Sequence, residues 1–345
     1  MPVQESFHTV ICGALQRETI INKLDQLAQD MPGGNLLYAA SGHAILDKHV
    51  GLVSSSPFSE FERYSKELTE NGFDTSGLIA SPTLLPVHRF YHIAQDGKIE
   101  TSNMKRHFFN RGLQIPKNLL AYEQEHSRIH RHNSSLFTLR SINFPKAYQN
   151  THIVLLAPMR DIAHYTCMPY LRENGVKQIL LRSSPTYMVP RQLHKINGLL
   201  CSADYFFTTS QEIKTLFKNR FDRYLDMIQA LKSFGDMHII IHSEKKGYTL
   251  LPAGTSTTIS VPDYEVYVAD PLGSYDCFCG AFAAGINNEN FSQERSLLLA
   301  SAAASVCKEG SGIHHILNTM PALLRMRAEY LSHQISYGKI SSLVA

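Results

Sequence analysis

Short, continuously apolar runs recur along the chain and predict buried strands. They lie at 8–12, 49–54, 152–159, 177–182, 203–209, 237–243 and 264–270. Because these runs do not alternate between apolar and polar residues, they are typical of strands covered on both faces, as in a parallel sheet. Helical patterns separate them at 35–46, 59–72, 161–175, 210–219 and 294–310. The repeated strand and helix from about residue 150 onwards predict an α/β fold with crossover connections.

A hairpin signal interrupts this α/β pattern. Residues 84–101 contain two apolar runs around Asp96-Gly97, and an Asp-Gly pair in that setting is typical of a hairpin turn. We interpret the hairpin, together with strands nearer the N-terminus, as a small β lid on one domain that spans 1–345. Residues 102–150 show no clear pattern, so no boundary is placed there.

A His-rich stretch lies within that unpatterned region, at 126–133. His126 and His130 are four residues apart and would share one face of a helix, where they could bind a metal. A solvated polar loop is the simpler interpretation, because only Glu123 and Glu125 could add ligands nearby. The role of this stretch stays open.

Composition and charge narrow the choice of partners and compartment. Of 345 residues, 43% are hydrophobic and 18% are charged, and the formal net charge is +3. This composition excludes an intrinsically disordered chain and gives no overall attraction to nucleic acid or anionic lipid, so we expect neither partner. No apolar run approaches the roughly 20 residues of a membrane-spanning helix, and no signal peptide is recognised. The 6 cysteines form no disulfide pattern, and we expect a cytoplasmic protein.

The sharpest local pattern lies at 268–286. An apolar run ends at Asp270, Gly273 permits a tight turn, and Asp276 begins a helix rich in small residues. The N-terminus of such a helix presents unpaired N–H groups and a positive dipole end, which suit an anion such as phosphate. Asp276 at that point could accept a proton from a substrate hydroxyl. Alternatively, it only caps the helix, and the small residues only permit close packing.

The same segment resembles a known family. Asp270, Gly273, Asp276, Phe278 and Ala281 have the spacing D-x-x-G-x-x-D-x-F-x-x-A, which is similar to the C-terminal signature of the ribokinase-like (PfkB) carbohydrate kinases. Four further segments resemble that family in order and spacing: Gly33-Gly34-Asn35, 71–78, 203–217 and 302–310. The resemblance implies a ribokinase-like doubly wound α/β sheet flanked by helices, with a small β lid, in agreement with the pattern above.

The resemblance also implies an activity and a set of site residues. It implies ATP- and Mg²⁺-dependent phosphorylation of a hydroxymethyl group on a sugar or nucleoside, with Asp276 as base. The backbone of Gly273, Ser274 and Tyr275 would form the anion hole, and Gly33, Gly34 and Asn35 would bind the substrate. Glu212 would order Mg²⁺ through water. The implied nucleotide contacts are Thr209, Glu212, His242, Glu244, Gly247 and Ala303.

The chain departs from the family pattern at functional positions. Tyr275 replaces the glycine before the proposed base, where a side chain could occupy the place of the transferred phosphate. Glu244 adds negative charge to the turn that lines the nucleotide, and Thr209 stands where the family has Asn. The acid that grips sugar hydroxyls is missing near the N-terminus, where Glu18 is a poor substitute by position. A catalytically impaired member that acts in ligand sensing, scaffolding or assembly is therefore the alternative to a kinase.

A projecting lid also suggests how copies of the chain associate. Such a sheet leaves strand edges and apolar side chains uncovered, and a second copy could cover them. We therefore expect a homodimer that forms through the lid.

Overall fold

The computed structural model describes residues 7–84, 86–120 and 144–343. The His-rich stretch at 126–133 lies outside these ranges. The strands are β1 (Thr9–Cys12), β2 (Gln16–Ile21), β3 (Leu27–Gly33), β4 (Val50–Pro57), β5 (Asp74–Ser81), β6 (His88–Ile93), β7 (Ile99–Glu100), β8 (Ile153–Leu156), β9 (Gln178–Arg182), β10 (Tyr205–Thr209), β11 (His238–Ser243), β12 (Gly247–Leu251), β13 (Thr257–Val261) and β14 (Ser336–Lys339).

Helices separate most of the strands. They are α1 (Asn35–Ala44), α2 (Phe61–Glu70), α3 (Met104–Phe109), α4 (Lys117–Leu120), α5 (Asp161–Glu173), α6 (Leu193–Leu200), α7 (Ser210–Leu216), α8 (Tyr224–Lys232), α9 (Ser274–Asn287), α10 (Gln293–Glu309), α11 (Ile313–Leu317) and α12 (Pro321–Ser332). Within the described ranges, no helix is both long enough and apolar enough to cross a membrane.

The larger sheet has ten strands in the order β14-β13-β12-β11-β10-β9-β8-β1-β4-β5. The strands from β11 to β5 in this order run parallel, while β12, β13 and β14 add antiparallel pairs at one edge. Helices cover both faces, which confirms the predicted ribokinase-like doubly wound α/β fold.

Successive residues of the central strands point to opposite faces and enter two separate cores. Ile11 and Leu155 pack with residues of α1, α9 and α10. Val10 and Leu156 pack on the other face with residues of α5, α6, α7 and α8. Because a strand covered on both faces needs apolar side chains at every position, the continuous apolar runs in the sequence follow from this burial.

One predicted strand is wrong. Residues 264–270 are extended but form no strand, and their side chains are partly exposed up to Val268. The backbone of Ala269 and Asp270 donates instead to the carbonyl of Lys308 at the end of α10, and Lys23 donates to the carbonyl of Ala269. At this end the sheet is extended by β12, β13 and β14, and residues 264–270 lead instead to the turn before α9.

A second sheet forms the lid, with strand order β3-β2-β6-β7. The hairpin signal at 84–101 contains β6 and β7, which pair antiparallel, and β2 and β3 supply the N-terminal strands. Helix α3 packs on one face of this sheet, where Ile21 and Phe90 contact Met104 and Phe108. This face is therefore covered from within the chain, while β3 and β7 are the edge strands of the lid, and the predicted homodimer stays a prediction.

Candidate active site

The candidate site lies where α9 begins, beside the carboxyl ends of β10 and β11. Gly273 caps α9 in the left-handed region at φ 68°. A side chain at this position would overlap the ring of Tyr38 in α1. Both constraints require glycine, because other residues rarely adopt this conformation and the space is already filled. The glycine therefore brings α1 close to the first turn of α9.

Asp276 occupies the third position of α9 and is partly buried. Burial raises the pKa of its carboxyl to about 7, and the Arg182 guanidinium opposes this rise. Negative charge on Glu212 and Glu18 adds to it. A carboxyl that titrates near neutral pH at a helix N-terminus is suited to accept a proton while the helix dipole stabilises an anion.

Glu18 of β2 lies beside the N-terminus of α1, and whether it replaces the missing family acid stays open. Its carboxylate accepts hydrogen bonds from the Tyr38 hydroxyl at 2.8 Å and from the backbone N–H of Gly34 at 3.0 Å. Gly33 lies directly over this carboxylate, since a side chain there would overlap it. Burial raises the pKa of Glu18. The predicted pair Gly33-Gly34 thus lies against the carboxylate of Glu18 from β2.

Asn35, a predicted substrate contact that stays a prediction, makes two hydrogen bonds within the protein. Its side-chain oxygen accepts a hydrogen bond from the backbone N–H of Ala14 at 2.8 Å. Its amide nitrogen donates to the carbonyl of Pro158 at 2.6 Å. Asn35 therefore joins the loops that follow β1 and β8, and its placement supports a structural function.

Tyr275 extends from α9 towards the carboxyl ends of two strands. Its hydroxyl donates to the carbonyl of Thr208 at 2.8 Å, with the carbonyl of Ile240 at 3.1 Å. The ring lies near those of His242, Tyr248 and Phe278. This tyrosine therefore fills space between the first turn of α9 and the ends of β10 and β11, which a glycine would leave open.

Arg182, at the end of β9, lies between Tyr275 and Glu212. Its guanidinium is 4.4 Å from the centre of the Tyr275 ring, a distance typical of a cation–π contact. It also forms a buried ion pair with Glu212 at 2.9 Å. Sequence analysis missed Arg182, although a charged residue at the end of the apolar run 177–182 was a usable signal.

The carboxylate of Glu212 accepts hydrogen bonds from several protein groups. Its Oε2 accepts hydrogen bonds from the Ser183 hydroxyl and the backbone N–H of Thr209, each at 2.9 Å, besides its contact with Arg182. Thr209 in turn caps α7 by accepting the N–H of Glu212, which completes a capping box. Arg182 compensates the charge of Glu212, which also lines a cleft, so its role in ordering Mg²⁺ through water stays a prediction.

The other predicted nucleotide contacts fall into two groups. His242 is the penultimate residue of β11 and Gly247 begins β12, with the exposed Glu244 in the turn between them. His242 lies 3.5 Å from the carboxylate of Asp263. Ala303 is fully buried in α10, so this placement does not support its predicted nucleotide contact.

A shallow cleft opens beside the Arg182–Glu212 pair. It has a volume of about 300 Å³, and Met188 and Gln211 contribute to its walls.

Asp270, which the sequence motif contains, is buried at the start of the turn to α9, and burial raises its pKa to about 7. Buried acids thus lie near both α1 and α9, and the buried cation Arg182 lies on the side of β9 and β10.

Several solved structures have a similar fold. Ribokinase from Arabidopsis thaliana, solved with ribose and ATP, matches with a TM-score of 0.66 and 18% identity over 94% of this chain and 99% of that chain. Nucleoside kinase from Burkholderia thailandensis, solved with inosine, gives 0.65 and 15% over 94% and 98%. Fructokinase from Xylella fastidiosa, solved with ATP, gives 0.68 and 14% over 94% and 99%.

Sequence comparison assigns the family. No curated protein matches the chain. The model of the pfkB family carbohydrate kinases matches residues 126–319, which is more than half of the chain. The chain therefore belongs to the pfkB family of carbohydrate kinases.

Proposed function

We propose that the protein transfers a phosphoryl group from ATP to a hydroxyl group of a sugar or nucleoside. The observation that carries this proposal is the position of Asp276 in the first turn of α9 together with its pKa of about 7. Family membership supports the reaction class. The neighbours solved with ribose or inosine support the class of acceptor.

In the proposed reaction, the carboxylate of Asp276 accepts the proton of the acceptor hydroxyl. The hydroxyl oxygen forms the new bond to the γ-phosphorus, the bond from that phosphorus to the bridging oxygen breaks, and ADP leaves. The proton then passes from Asp276 to water. Backbone N–H groups at the start of α9 and the helix dipole stabilise the negative charge on the phosphoryl group during transfer.

The substrate side would be set by the acid that β2 carries. Tyr38 and Gly34 hold the Glu18 carboxylate in place through hydrogen bonds. Its negative charge contributes to the raised pKa of Asp276. An uncharged polyol or a nucleoside fits such surroundings better than a phosphorylated sugar, because a second phosphate would be repelled.

The groups beside β9 and β10 support a second candidate function. The Arg182–Glu212 ion pair and the Tyr275 ring occupy the region between α9 and the ends of β10 and β11. If a nucleotide cannot displace these groups, the protein would bind a small molecule without catalysing transfer. It would then act as a ligand sensor or an assembly component.

Calorimetric titration of the purified protein with ATP in the presence of Mg²⁺ separates the two candidates. The kinase proposal expects a saturable heat, followed by ADP release when ribose, fructose or inosine is added. Asp276→Asn should abolish release, whereas Glu289→Gln should not, because Glu289 is an exposed acid beyond the opposite end of α9. No heat at millimolar ATP would overturn the kinase proposal.

A further inference from the structure

Three potential metal ligands meet on the face of the lid that α3 covers. His107 of α3 lies 3.1 Å from the carboxylate of Glu100 in β7, measured from Nε2 to Oε2. His92 of β6 lies 3.5 Å from the same oxygen through Nδ1. One ligand atom from each residue falls within 4.8 Å of the other two. The three residues come from separate elements, so the fold and not local sequence brings them together.

We propose that His92, Glu100 and His107 bind a divalent transition metal ion, with Zn²⁺ as the best fit. Two imidazoles and one carboxylate form a donor set typical of zinc, with a fourth position left for water. Ligand atoms on a tetrahedral ion at about 2.1 Å are about 3.4 Å apart. The two separations that involve Glu100, 3.1 and 3.5 Å, are close to this value.

The state of His92 supplies a second observation. Its Nδ1 is buried and has no hydrogen-bond partner among the described residues. A buried nitrogen without a partner costs free energy, and a metal ion at this point would remove that cost.

Limited side-chain motion would complete the site. The rings of His92 and His107 are stacked, with centres 4.0 Å apart and planes at 28°. An ion must lie in the plane of each ring that binds it, so both rings must turn about their Cβ–Cγ bonds. Such rotations are soft, because these torsions have broad minima.

Arg111 is the side chain that would compete with a metal ion for His92. Its Nη2 lies 3.1 Å from Nε2 of His92, which accepts a hydrogen bond when Nδ1 carries the proton. A metal on Nδ1 moves the proton to Nε2, and two donors would then face each other. Arg111 must release the ring, and Asp25, which already pairs with Arg111, would hold the displaced guanidinium. Removal of Arg111 should therefore strengthen metal binding.

A bound ion would fasten α3 to the lid. His92 and Glu100 belong to the hairpin of β6 and β7. His107 lies on α3, beside the contact between Phe90 and Phe108. One ion would thus cross-link the hairpin to the helix that covers it. Lid stability would then depend on the metal.

The test uses the full chain, stripped with EDTA and titrated with Zn²⁺ against a competing chromophoric chelator. We expect one equivalent to bind and the melting temperature to rise. His107→Gln and Glu100→Gln should each weaken binding at least tenfold and remove the thermal shift, and Arg111→Gln should strengthen binding. Glu100 is 37% exposed, so its substitution keeps the test interpretable if His107→Gln does not fold.

Two controls distinguish this site from adventitious binding. His333→Gln removes an exposed histidine at the end of α12 and should change nothing. A triple variant, His126→Gln, His130→Gln and His132→Gln, should also retain the tight equivalent. The proposal is overturned if the triple variant loses Zn²⁺ binding, or if the variants at His107 and Glu100 keep wild-type affinity.

Discussion

The guanidinium of Arg182 lies 4.4 Å from the centre of the Tyr275 ring. These residues belong to the end of β9 and the first turn of α9, so their contact joins the two elements between which a donor phosphate would bind. Glu212 holds Arg182 from the other side at 2.9 Å. Whether this group of three residues yields to a nucleotide decides between the proposed kinase and the binding protein.

Replacement of Tyr275 tests this directly. Tyr275→Gly removes the ring and its hydrogen bond to Thr208, and we expect tighter ATP binding by at least tenfold with phosphoryl transfer unchanged or faster. Tyr275→Phe is the matched control, because it keeps the ring over Arg182 and loses only the hydroxyl. It should cost about 1 kcal/mol in the free energy of unfolding and leave ATP affinity unaltered. Calorimetry and denaturant unfolding give both values, and weaker ATP binding to the glycine variant would contradict the prediction.

The proposed base predicts a pH dependence of the rate. Asp276 acts as a carboxylate, and its pKa is about 7, so kcat/KM should rise tenfold per pH unit below 7 and level off above it. Asp276→Asn should lower kcat by at least about 100-fold, the range typical of general base catalysis. Its ATP affinity should change little, because the base acts on the acceptor hydroxyl. Equal activity at pH 5.5 and 8 would argue against Asp276.

The same carboxyl predicts a pH dependence of stability. In the unfolded chain Asp276 ionises near its ordinary pKa of about 4, whereas in the folded protein it stays protonated up to about 7. Its contribution to stability is therefore complete below pH 4 and is lost as the pH rises towards 7. Asp276→Asn should be more stable than wild type at pH 8, by on the order of 2 kcal/mol.

At pH 4 that difference should vanish. Urea unfolding at both pH values measures it, with Glu289→Gln as the control. An Asp276→Asn variant less stable than wild type at pH 8 would show that the carboxylate is favoured in the folded state.

The Arg182–Glu212 ion pair should be important for stability when only one partner is removed. Arg182→Met leaves the buried Glu212 carboxylate without its counter-charge and should cost about 3 to 5 kcal/mol in the free energy of unfolding. The double variant Arg182→Met, Glu212→Met should cost clearly less than the sum of the single variants. A double-mutant cycle from denaturant unfolding measures this coupling. Additive effects would mean that the two charges act independently.

Self-association through the lid stays a prediction, which now depends on one exposed side chain of α3. Helix α3 covers Ile21 and Phe90, but Phe109 on that helix is 84% exposed. If two copies meet there, light scattering at micromolar concentration should give twice the mass of the chain, and Phe109→Lys should give the monomer. Phe58→Lys is the matched control, since Phe58 is also exposed, at 74%, but precedes α2. A monomeric wild type would exclude the homodimer at that concentration.

Continuous apolar runs predicted the central sheet, because strands buried on both faces need apolar side chains at every position. Six predicted strands lie within three residues of their observed bounds. The strand predicted over 264–270 failed because the backbone of Ala269 and Asp270 forms hydrogen bonds with Lys308 and Lys23 instead of with a sheet edge. Strand-like composition does not specify a hydrogen-bonding partner.

The candidate site was predictable only in part. Asp276 and Gly273 follow from a local motif, because a turn and a helix start have local sequence requirements. The position of Arg182 depends on how β9 meets α9, which is distant in the chain, and the surroundings of Glu18 depend on how β2 packs against α1. Pairwise contacts of this kind leave no periodic signal, so Arg182 was missed.

The lid sheet also constrains the order in which the molecule can assemble. Strand β2 pairs in parallel with β6, so that Arg17 faces His88, and the chain between them forms β3, α1, β4, α2 and β5. Closing so long a loop is entropically expensive, and such contacts form late in folding. Glu18 lies on β2. Its carboxylate bonds to Gly34 and Tyr38, which lie within 20 residues along the chain, so an intermediate that contains β2, β3 and α1 would already hold Glu18 before β6 joins the lid.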